Sequence, residues 1–186
     1  MKNIETKIEI INSKIIGSFF LLAFLAYGFG RHYFENEVMQ IKQIGAILIV
    51  LNSIMVLFIG ILFRKTLQKY NSTVGNIYLF TRIFESLALS TLVLKLFFNI
   101  NFSDDFGYFL AMVILGLGSI PMCLTLLKYK ISPSWLAVWG AIGYAIFSIG
   151  FLMELFGKEW SMYLLVITAL WEITFAMWLI TRKTAN

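Results

Sequence analysis

An arginine and a glutamate three residues apart, Arg82 and Glu85, stand inside the run Tyr78-Leu-Phe-Thr-Arg82-Ile-Phe-Glu85-Ser-Leu. That spacing puts both side chains on one face of a helix. The surrounding chain is apolar enough to belong in lipid, where charged groups are costly and face a protein interior or a wet cavity. A third such group, Glu172, lies in another apolar run further along the chain. One arginine against two carboxylates leaves a single negative charge. Either a proton neutralises one glutamate or a cation fills the place. The chemistry these residues point to is therefore the holding of a proton or a cationic ligand. The competing reading is a polar network that ties helices together and binds nothing.

The elements that must position these groups are long apolar helices. The 186 residues are 60% hydrophobic and 13% charged, with mean hydropathy +0.84. Soluble domains run at roughly 45–50% apolar and 25% charged, which excludes a water-soluble globule. The net charge of +5 comes from short Lys/Arg clusters between apolar runs, the pattern of membrane-protein loops rather than of a nucleic-acid surface. Six runs span residues 15–34, 41–63, 74–99, 106–127, 135–156 and 161–180. Each is close to the roughly 20 residues that cross the hydrocarbon core as a helix, and none alternates as a strand would. The expected fold is all-α, a polytopic transmembrane bundle of six spans forming a single domain. Residues 1–14, with Ile4, Ile8 and Ile11 on one stripe, read as an amphipathic lead-in. Residues 15–30 read as a retained first helix rather than a cleaved signal, since no small-residue cleavage site precedes Arg31.

Lys and Arg counts set the orientation. The N-terminus, loop 2–3, loop 4–5 and the C-terminus hold ten, and the opposite side holds four. Both termini are therefore expected in the cytoplasm. Depth then follows from the helical rise. Arg82 lies eight residues into span three and Glu172 nine residues from the end of span six, roughly 12–13 Å deep at 1.5 Å per residue. Glu85 sits one turn nearer the midplane, with Asn52 of span two and Tyr144 of span five close to its level. Pro121 in span four removes a backbone donor and frees the carbonyl of Leu117, for which Arg82 is a candidate partner. The expected interior layer is Arg82, Glu85 and Glu172, supported by Asn52, Ser119 and Tyr144.

Other features point to packing. Gly140, Gly143 and Gly150 with Ala141 and Ala145 give span five a face for close approach. A single Cys123 and a single His32 cannot form a disulfide, a Cys/His zinc site or a bis-His haem site, so no metal or cofactor is expected. Lys95, near the end of span three, is expected to snorkel outward. Phe84-Glu85 and Trp171-Glu172 occupy matching positions in the two halves, but little else repeats.

Four landmarks together resemble a known family: Ser13-Lys-Ile-Ile-Gly17, Arg82-Ile-Phe-Glu85, Ile131-Ser-Pro133-Ser-Trp135-Leu-Ala-Val-Trp-Gly140, and Leu170-Trp-Glu172-Ile-Thr-Phe-Ala-Met-Trp-Leu179. Their order and spacing are similar to an uncharacterised family of small bacterial integral membrane proteins, catalogued as a domain of unknown function. The resemblance implies a compact helical bundle in the bacterial cytoplasmic membrane and carries no activity with it. Ser134 departs from the family, which often has Arg there, so this turn is not read as an anion site.

Three functions are weighed on these residues. The first is a protein that binds or transports a proton, a cation or a small amphipathic molecule at the buried charges. The second is a non-catalytic membrane protein, for instance an interaction, immunity or stress-response factor working by contact with a partner. The third and weakest is an intramembrane lipid enzyme: a carboxylate pair can do acid–base work, but no His-x-x-x-Asp, Glu-Glu-x-x-x-Arg or Asp-rich motif is present. Beyond the lipid bilayer, no partner can be named.

Overall fold

The computed structural model describes residues 2–98 and 104–182, with side chains over 11–91, 93–94 and 106–182. Residues 99–103 and the side chains of Ile4, Ile8, Lys95, Asp104 and Asp105, which bear on the amphipathic stripe, the acidic loop and the snorkelling lysine, lie outside what the structure describes. Within them the chain forms six helices: α1 (Lys2–Phe34), α2 (Met39–Leu67), α3 (Ser72–Phe98), α4 (Asp104–Lys128), α5 (Ser134–Leu155) and α6 (Ser161–Thr181). No strand occurs among the described residues. The lead-in is continuous with α1.

Helices are what the composition demands, because a helix satisfies its backbone groups internally where no water is at hand. Five of the six are long and apolar enough to cross a membrane: Ile11–Phe34, Met39–Leu67, Phe106–Lys128, Ser134–Leu155 and Ser161–Thr181. The chain is thus a polytopic helical membrane protein. Six spans were expected; the far end of α3, whose side chains lie partly outside the described residues, is not covered by this measure.

Local chemistry ends the helices where the turns require. Gly157, at φ +73°, closes α5, with its N–H on Glu154 O at 2.9 Å and that of Lys158 on Met153 O at 3.0 Å. This is the Schellman pattern, which favours glycine because it needs a left-handed residue. Lys130, at φ 53°, ends α4 in the same way, with Ile131 N–H on Leu126 O at 3.0 Å. Pro133 then starts α5, its carbonyl accepting from Leu136 and Ala137. Before α3, Asn71 Oδ1 accepts from Val74 N–H at 3.2 Å, as an N-cap does.

The helices pack in chain order, α1 on α2 through α5 on α6, and α1 against α6 closes a ring. Close approaches set the ring's tightness. A Cβ on Gly17 of α1 would meet Ala176 O of α6 at 2.6 Å, and one on Gly60 of α2 would meet Arg82 Cβ of α3 at 2.7 Å. Gly60 therefore lets the stem of Arg82 pass α2 on its way inward. At one end of the ring Phe63, Tyr78, Met122, Trp171 and Phe175 are buried together in the core. That end carries the short basic turns at 68–71 and 129–133.

Candidate functional site

Arg82 enters the ring from α3, and its guanidinium is nearly enclosed. Nε donates to the Tyr78 hydroxyl at 3.0 Å and Nη1 to Glu85 Oε2 at 2.8 Å. The Phe20 ring of α1 and the Tyr78 ring lie 5.2 and 5.1 Å from Cζ, within reach of cation–π attraction. Tyr78 sits one turn before Arg82, so the i, i+4 spacing was a legible signal for this partner that the sequence reading did not use.

Glu172 approaches from α6. Its Oε1 accepts from the Tyr144 hydroxyl of α5 at 2.8 Å, and Arg82 Nη2 stands 3.8 Å from the same oxygen. That distance gives Coulomb attraction without a hydrogen bond. Nη2 is buried and has no hydrogen-bond partner. The two carboxylates differ in exposure, with the Glu85 side chain 11% exposed and that of Glu172 25%. Glu85 Oε1 and Glu172 Oε2 are the carboxylate oxygens these bonds leave unused.

These groups form the floor of a cavity of about 140 Å³. Every helix of the ring contributes to it. Asn52 and Ile59 of α2, Phe20 and Phe24 of α1, and Phe147 and Phe151 of α5 are among its lining residues. The cavity runs from Arg82 to Leu89 along α3 and from Glu172 to Leu165 along α6, in each case seven residues, or ~10 Å at the helical rise. Towards its other end Tyr27 of α1 and Tyr108 of α4 also line it, and the Tyr27 hydroxyl donates to that of Tyr108 at 3.0 Å. Among the described lining residues Arg82 is the one cation, and Glu85 and Glu172 are the two carboxylates. The site is thus apolar-walled and polar-floored, with two formal negative charges against one positive.

The structure brings Arg82, Glu85 and Glu172 together and places Asn52 on the cavity wall. Tyr144 reaches the cluster as the donor to Glu172 without lining the cavity. Ser119 does not join it: its Oγ is buried with no hydrogen-bond partner, and it is not a lining residue. The expected link from Arg82 to the Leu117 carbonyl does not form either. Arg82 donates to Tyr78 and Glu85 instead, and Leu117 is 56% exposed on the outer face of α4. The aromatic wall and the Tyr27–Tyr108 pair were not foreseen, because they depend on how each helix is rotated about its axis. Among the described residues, no group of three or more His, Cys, Asp or Glu is arranged to hold a metal ion.

Residues 97–182 match the model of a family described as Domain of unknown function (DUF4386). The matched stretch takes in α4 to α6 with Tyr144 and Glu172, and the landmarks around Pro133 and Glu172 fall within it. The landmarks at Ser13–Gly17 and Arg82–Glu85 fall outside. The chain matches no curated protein and no solved structure.

Proposed function

We propose that the cavity is a binding site for one small positively charged species, held between Glu85 and Glu172. The observation that supports this most is that a single cavity touches both carboxylates and the one arginine. The group left over after Arg82 has paired with Glu85 is a carboxylate, and it faces space rather than a second base. A proton, a metal cation or an organic ammonium each supplies the charge this arrangement lacks. We place the protein in a bacterial cytoplasmic membrane with both termini inside, following the distribution of Lys and Arg.

The reading in which the charges only tie helices together has less support. The short ion pair, Arg82 to Glu85, lies within one helix and so joins nothing. The link between helices, Arg82 to Glu172, is the longer 3.8 Å approach.

The test is binding of 4-fluorobenzylamine, followed by fluorine NMR, to the full chain in lipid nanodiscs. Its single ring suits the volume, since an apolar cavity of about 150 Å³ holds benzene. The expected result is a bound resonance that weakens at least about tenfold in Glu172→Gln, the loss of roughly 1.4 kcal/mol of attraction. No bound resonance in the wild type removes organic ammonium ions from the reading. Equal binding by Glu172→Gln removes the charge argument.

A further inference from the structure

We propose that the cavity opens sideways into the bilayer, through the seam between α1 and α6, and that its ligand is a membrane-dissolved amphipathic amine rather than a hydrated ion. This rests on the binding reading above. It adds the route and the chemical class.

The exposure of the lining residues carries the inference. Those from α2, α3 and α5 are all buried: Asn52, Val56, Leu89 and Phe151 are examples. Among the described lining residues, those that keep exposure come from α1 and α6, with Tyr108 of α4 the one exception. Phe24 of α1 is 45% exposed although it lines the cavity. Facing it across the seam, Leu165, Ala169 and Glu172 of α6 are each part-exposed. The gap is therefore in the wall of the ring.

The packing explains why the gap lies there. At the basic end α1 and α6 touch closely: Gly17 meets Ala176, and Phe20 lies edge-on to Phe175 at 6.3 Å. Seven residues further along α1, Tyr27 pairs across the ring with α4 instead of with α6. The seam is thus pinned at the basic end. Along the ring axis, the Tyr27–Tyr108 hydrogen bond crosses the other exit.

The ligand class follows from what borders this opening. Apolar side chains flank it, so what passes must leave its hydration behind. A bare inorganic ion loses far more than it gains on such a path. A singly charged amine with one apolar group does not, because its apolar part stays in contact with lipid or with Phe20, Phe24 and Phe147 throughout. Its ammonium ends at Glu172, the carboxylate nearer the opening, with Glu85 behind.

The exchange rate of bound 4-fluorobenzylamine in nanodiscs tests the route. Leu165→Ala widens the seam and is expected to speed exchange about tenfold; Ala169→Trp fills it and is expected to slow exchange by a similar factor. If Ala169→Trp leaves no bound ligand, Leu165→Ala decides alone. Wild-type binding with exchange unmoved by Leu165→Ala overturns the lateral route while leaving the binding reading intact. A larger acceleration in Tyr108→Phe than in Leu165→Ala overturns it in favour of the axial exit. Absence of any bound probe in the wild type overturns the amine class and the route with it, leaving a proton or metal cation as the species the binding reading allows, and is distinguished by showing no bound resonance to exchange.

Discussion

The hydroxyl of Tyr144 on α5 donates to Glu172 Oε1 on α6 at 2.8 Å, nearer to that oxygen than Arg82 comes. A neutral donor on the neighbouring helix, rather than the arginine across the ring, fixes the carboxylate in place. Tyr144→Phe removes this donor and leaves a part-buried carboxylate less satisfied. The expected cost is about 1–3 kcal/mol, seen as a lower midpoint of thermal unfolding in detergent. An unchanged midpoint means that Tyr144 does not position Glu172.

Arg82 makes its short contacts with partners on its own helix, yet it balances the charge of the whole floor. Arg82→Gln leaves two carboxylates together in an apolar surround, which costs about 3–5 kcal/mol by analogy with other broken buried pairs. The double change Arg82→Gln with Glu85→Gln removes one charge of each sign and is expected to be the milder. A double-mutant cycle on unfolding free energy checks this; additive losses contradict it.

Gly60→Ala tests what brings Arg82 inward. The added methyl meets Arg82 Cβ, close to the backbone of α3, where neither partner can swing aside. The expected cost is about 1–3 kcal/mol from overpacking, together with weaker binding of the amine probe. A variant as stable as the wild type shows that α2 and α3 have more room between them than this contact implies.

Orientation is open to direct measurement. With loops 2–3 and 4–5 inside, a fluorescent protein fused after residue 182 is expected to glow, and alkaline phosphatase fused there to be inactive. The reverse pattern inverts the assignment of the basic end.

The helices were legible because their cause is local. Apolar runs of membrane length, the Lys/Arg clusters between them and Pro133 mark their ends without reference to any neighbour. The charge cluster was legible from depth alone, since the alternating direction of successive spans and a fixed rise bring Arg82 and Glu172 to one level. Rotation about each helix axis was not. Helices apolar on nearly every side give little amphipathic signal, so nothing in the sequence told Ser119 from Thr168, one a buried hydroxyl apart from the cavity and the other a lining residue. The Tyr27–Tyr108 pair joins residues 81 apart, and only the closed ring brings them together.

The intrahelical pairing of Arg82 with Glu85 also bears on how the chain enters the bilayer during synthesis. As α3 leaves the ribosome it carries its own counter-ion one turn away, and the two charges can partition into the membrane as a neutral unit. α6 carries Glu172 with no base of its own, and the groups that receive it, Arg82 and Tyr144, belong to helices made earlier. Integration of α6 is thereby coupled to the assembly that precedes it. In Arg82→Gln, α6 is the helix expected to remain outside the lipid in a fraction of chains, measurable as labelling of an introduced Met177→Cys by a water-soluble thiol reagent; no labelling would show that α6 inserts on its hydrophobicity alone.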